Sequence, residues 1–109
     1  MGNSLDDLSN FPADVKRAFG YELRQAQMGE MPRSAKTLGG FGAGVFELRD
    51  RYAGDAYRAV YAVRLAKAIY VLHAFKKKSK SGISMPREDV ALIVARLKRA
   101  YALDQEERE

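Results

Sequence analysis

Residues 44–63, GVFELRDRYAGDAYRAVYAV, decide how this chain folds. Phe46 and Leu48 alternate with Glu47 and Arg49, the period of two expected of a half-buried strand. Ala53-Gly54-Asp55 then breaks the pattern with turn chemistry. From Tyr57 the alternation resumes, with Tyr57, Ala59, Tyr61 and Val63 on one side and Arg58, Val60, Ala62 and Arg64 on the other. Two strands joined by a short turn are therefore predicted, each carrying a charged residue at mid-strand.

Working outward, 68–75 is rich in β-branched and aromatic residues and reads as a further strand. Upstream, Met31 to Gly44 holds Pro32, Gly39, Gly40, Gly42 and Gly44 and predicts a loop with room for one short strand. Before it, Val15, Ala18, Phe19, Leu23 and Ala26 recur at helical spacing behind Pro12, and the pattern stops at Met28-Gly29. A shorter helical turn is expected near Ser4–Ser9, where Asp6 and Asp7 suit a first turn. At the other end Pro86, Glu88 and Asp89 mark a helix start, and Val90, Ile93, Val94, Leu97 and Tyr101 line one face. The order is helix, three or four meandering strands, helix. This is an α+β pattern, with the helices expected on one face of an antiparallel sheet and the other face accessible. The 109 residues form one domain, 1–109, with 1–10 and 102–109 expected to be mobile.

Composition narrows the chemistry. Hydrophobic residues make up 47% and charged residues 30%, a globular balance. With no cysteine and a single histidine, His73, disulfide frameworks, thiol catalysis and Cys/His zinc sites fall away, and no cofactor or metal is expected. No run approaches the ~18 apolar residues of a membrane span, so no membrane partner and a cytoplasmic location are expected. Nineteen Lys and Arg against 14 Asp and Glu give +5 and a pI near 9.6, which suits a polyanionic partner. The densest cationic stretch, 64–80, carries Arg64, Lys67, Lys76, Lys77, Lys78 and Lys80 and no acid. It reads either as a solvated run after a buried strand or as a phosphate-binding surface with Arg49 and Arg58. Tyr70, His73 and Phe75 lie beside it and suit base stacking.

Gly44-Val45-Phe46-Glu47-Leu48-Arg49, Tyr57-Arg58-Ala59-Val60-Tyr61 and Val71-Leu72-His73-Ala74-Phe75-Lys76-Lys77-Lys78-Ser79 resemble successive signatures of phage-derived Gp49-like proteins, within the RelE/HigB toxin superfamily. Ala35–Gly42 and Met85–Asp89 fit the same order, so the resemblance spans roughly residues 11–101. It implies a RelE-like toxin that cleaves mRNA in the ribosomal decoding site, contacts ribosomal RNA, and is neutralised by a helix-turn-helix antitoxin. By the same resemblance Arg58 holds the scissile phosphate, with Lys76 and Lys77 beside it as catalytic cations. Arg49, Arg64, Tyr70, Phe75, Lys78 and Lys80 are then RNA contacts. Cleavage without a metal needs a base for the ribose 2′-OH, cations for the phosphate and an acid for the leaving oxygen. His73, whose ordinary pKa lies near neutrality, is either that proton-transfer group or a core-facing imidazole. Arg58 has one competing assignment, an ion pair to Glu47 on the neighbouring strand. Glu47 stands where ribosome-dependent relatives carry a proton-transferring lysine. Two other functions stay open: a ParE-like, non-catalytic gyrase inhibitor, and a phage-derived binding protein that has lost toxicity.

Overall fold

The computed structural model describes residues 4–42, 44–63, 69–77 and 87–108. Helices α1 (Ser4–Ser9) and α2 (Ala13–Gln27) precede strands β1 (Lys36–Thr37), β2 (Val45–Tyr52), β3 (Asp55–Val63) and β4 (Ile69–Lys77), and α3 (Arg87–Arg108) follows. The strands form one antiparallel sheet in the order β1-β2-β3-β4. This is the α+β order that the alternation over 44–63 and its flanking helices predicted, and it is consistent with the RelE-like fold that the resemblance implies. Pro12 caps α2 from outside the helix, and Glu30 N donates to Gln25 O (2.9 Å) and Gly29 N to Ala26 O (3.1 Å) at its other end. Gly29, at φ +89°, makes that paired closure possible.

Helices cover both faces of the sheet, not one. On the first face Val15, Phe19 and Ala26 of α2 pack on Leu48, Tyr57, Ala59 and Tyr61. On the second, Ile93, Leu97 and Ala100 of α3 pack on Val45, Val60, Ala62 and Leu72. The physical cause is β3, where Ala59, Val60, Tyr61 and Ala62 are all buried, so an uncovered side would leave Val60 and Ala62 in water. The α3 face is also rotated from the one expected. Ile93, Leu97, Ala100 and Asp104 point inward, while Val94 and Tyr101 stay about 40% exposed. α3 continues as helix through Arg108, with Asp104 buried. Among the described residues no helix is long and apolar enough to cross a membrane.

Two local devices set the register that matters for function. Tyr52 pairs with Asp55, leaving Ala53 (φ +52°) and Gly54 (φ +86°) as a two-residue turn of the mirror-image type that matches strand twist. Alanine is strained there, whereas asparagine favours that conformation. Ala53→Asn should stabilise the fold by about 0.5–1 kcal/mol. A thermal melt that rises by a few degrees at unchanged cooperativity is the expected reading.

The second device is a bulge in β4. Val60 pairs with His73 but Tyr61 with Val71, so Leu72 is the extra residue. The simple alternation placed His73 in phase with Ile69, Val71 and Phe75. Instead the bulge sends Ile69 to the α2 side and keeps His73 with Phe75 on the α3 side.

Candidate functional site

Directly opposed residues in antiparallel strands project from the same face. On the α3 side the register therefore builds three rows at the hairpin end of the sheet: Lys36–Glu47–Val60–His73, then Arg49–Arg58–Phe75, then Arg51–Ala56. The first row is completed by β1, whose approach is fixed from α2. Ser34 donates from its Oγ (2.6 Å) and its backbone N (3.2 Å) to Glu22 Oε2, holding the segment just before Lys36. The same Glu22 charge, added to burial as the larger cause, pushes the Tyr61 phenol above its ordinary value. Tyr61 is thus a neutral core residue stacked on Phe46 at 5.6 Å, as its periodicity suggested.

Glu47 sits at the centre of this surface. Its Oε1 accepts from Arg58 Nη1 at 2.8 Å and from Arg49 Nε at 2.8 Å. Glu47 is 3% exposed, the Arg58 side chain 15% and the Arg49 side chain 48%. A carboxylate withdrawn this far from water persists because two charge-assisted hydrogen bonds replace its hydration. Lys36 and Arg51 flank the pair, both exposed and, among the described residues, neither in an ion pair. Four cations thus surround one carboxylate, leaving a clear positive surplus.

The other predicted residues fall in different places. Lys76 pairs with Tyr57 and so belongs to the opposite face from Arg58, where its Nζ lies 3.1 Å from Asp55 Oδ2. That hydrogen bond and the Asp55 charge raise the Lys76 pKa. The Lys77 backbone pairs with Ala56 at the end of β4, and its side chain lies outside the described residues. His73 is buried: Nε2 lies 2.7 Å from Asp89 Oδ1, Arg96 Nη1 lies 3.3 Å from Nδ1, and Phe75 stacks on the ring at 5.0 Å. Arg96 Nη1 also donates to Leu72 O at 2.9 Å. Both imidazole nitrogens are therefore occupied in pinning the start of α3 to β4, and neither reaches the open rows. Tyr70 is half-buried against the α3-side core. Arg64, Lys78 and Lys80 lie outside the described residues.

The structure therefore brings Arg49, Arg58 and Phe75 together, places Lys76 on the opposite face, and buries His73 against Asp89 and Arg96 of α3. Arg51 was legible in principle, being the next residue in the Glu47–Arg49 phase. Lys36 was not, because a two-residue strand leaves no periodicity to read.

Fold and surface together define a small α+β protein with a carboxylate-centred cationic face suited to a polyanion. The chain matches the family described as phage derived protein Gp49-like (DUF891) over residues 6–98, and it belongs to that family. No curated protein and no solved structure matches it significantly.

Proposed function

We propose that this protein is the toxin of a type II toxin–antitoxin pair, an endoribonuclease that cuts mRNA at the ribosome in the cytoplasm without requiring a metal. The observation that carries this reading is the Arg49–Glu47–Arg58 cluster on the open end of the sheet, with Lys36 and Arg51 at its sides. Two guanidinium groups 2.8 Å from one carboxylate oxygen are spaced to grip a phosphate, which presents paired oxygens in the same way. Arg58 and Arg49 then neutralise the charge that builds on the phosphate as the 2′-oxygen attacks.

Attack of that oxygen on phosphorus forms a 2′,3′-cyclic phosphate and releases the 5′-oxygen of the next nucleotide. The 2′-OH proton needs an acceptor beside the phosphate. Glu47 is the described carboxylate in that position, set where ribosome-dependent relatives carry the proton-transferring lysine. As the phosphate draws Arg49 and Arg58 toward itself, their hold on Oε1 weakens and Glu47 can take the proton. The leaving 5′-oxygen takes its proton from a cationic neighbour or from water. His73 serves this site by position, since Asp89 and Arg96 anchor α3 through it and so set where the open rows begin. A helix-turn-helix antitoxin that covers the cationic face would silence the enzyme.

Induced expression in a bacterial host tests the reading. Rapid translation arrest with mRNA cut to 2′,3′-cyclic phosphate ends is the expected result. A DNA-damage response without cut mRNA would point to the gyrase-inhibitor alternative, and unimpaired growth to a binding protein without toxicity.

A further inference from the structure

A second concavity lies across the sheet edge from the arginine pair. It is an open groove of about 610 Å³ between the α1–α2 junction and strands β3 and β4. That volume falls within the roughly 300–1,000 Å³ of small-molecule clefts. Its aromatic walls are the rings of Phe11 and Tyr57, Phe75 lines it from β4 while its own ring stacks on His73 on the other face, and its polar positions are Asp7, Asn10 and Lys76. Phe11 meets Tyr57 edge-on, with ring centroids 4.9 Å apart, which holds both rings in place.

This lining selects among ligands. An apolar peptide side chain would leave Asp7, Asn10 and the Lys76–Asp55 pair facing hydrocarbon, at a desolvation cost. A bare anion would meet the Asp7 carboxylate. A nucleobase satisfies both kinds of wall, with its flat face on the aromatic rings and its polar edge toward Asp7 and Asn10. The groove and the arginine pair lie on opposite faces of the sheet and share its β4 edge, so an RNA strand that reaches both passes around β4.

We infer that this groove is a guanine-preferring nucleotide subsite for the RNA strand whose phosphate is held by Arg49 and Arg58. The inference rests on the ribonuclease reading for its biological use, though not for the binding itself. Guanine presents adjacent N1–H and N2–H donors on its Watson–Crick edge, which match the two oxygens of the Asp7 carboxylate. The Asn10 amide donates to O6, and Lys76, released from Asp55, takes the nucleotide phosphate. Adenine offers no such donor pair and binds by stacking alone.

Titration of the full-length protein with GMP, AMP, CMP and UMP, followed by amide chemical shifts, tests this. GMP should shift Asp7, Asn10, Phe11 and Tyr57 and bind about tenfold tighter than AMP. Asp7→Asn should remove about that factor for GMP while leaving AMP unchanged, and Asn10→Ala should weaken GMP less. Both positions lie outside the two cores, so circular dichroism should be unaltered. Equal binding of all four nucleotides, shifts confined to Arg49 and Arg58, or a groove that answers only to an antitoxin peptide would each overturn the subsite. The two readings fail separately. GMP binding in a protein that cuts no RNA ends the nuclease proposal alone, whereas RNA cleavage with GMP absent from the groove ends the subsite alone.

Discussion

Arg58→Ala is expected to abolish growth arrest and to slow cleavage of ribosome-bound mRNA by about 10²–10³-fold, the usual loss when one preorganised donor to a transition-state oxyanion is removed. On the proposed function Arg58 is the decisive cation. It is the more buried of the two arginines on Glu47, and a guanidinium in a partly dehydrated setting stabilises developing charge more than an exposed one. Arg58→Lys should recover little, since an ammonium cannot span Glu47 and a phosphate with the same planar fork. Arg49→Ala, at a half-exposed position, should cost less. Cleavage measured under single-turnover conditions separates these variants from mere loss of ribosome binding. If Arg58→Ala arrests growth and cuts mRNA as the parent does, the phosphate site lies elsewhere.

Glu47→Ala is expected to have the largest effect on stability. The substitution leaves the Arg58 side chain, 15% exposed, beside Arg49 with no counter-charge. Breaking a buried pair in this way typically costs about 3–5 kcal/mol, and the partial exposure of Arg49 puts this case near the lower end, at about 3 kcal/mol. For a domain of this size that is a fall of about 12–24 °C in the melting temperature. Glu47→Gln keeps an acceptor for one guanidinium and should lose about half as much. The same pair of variants examines the proton-transfer role. RNA affinity should hold or rise because a negative charge is gone, while the cleavage step should fall in both. A melting temperature within about 2 °C of the parent for Glu47→Ala would mean that the arginines have other means of support.

Both residues depend on one feature of the fold. Glu47 and Arg58 are eleven residues apart, yet a two-residue turn places them one row apart on adjacent strands. Any change that slips this hairpin by one residue would send both side chains to the α2 face. The strained Ala53 turn therefore bears on the site as well as on stability.

The alternation in 44–63 determined by itself that two strands meet at Ala53-Gly54. Helical spacing did the same for α2, and the ordered signatures over 44–79 pointed to the Gp49-like family. These are local patterns, in which period and turn chemistry are written into neighbouring residues. Charge gave the expectation of a polyanionic partner for a similar reason, since a net sum does not depend on the path of the chain. What only the tertiary structure decided was which charges share a face. Packing of α3 set His73 against Asp89 and Arg96, residues 16 and 23 positions away, and the β4 bulge turned Val71 and Ile69 to the other face. The strand register put Lys76 on the opposite side from Arg58, although both lie in basic, strand-like sequence. A two-residue strand held from α2 brought Lys36 beside Glu47. Each of these outcomes depends on long-range pairing, and a single extra residue reverses the face of everything beyond it.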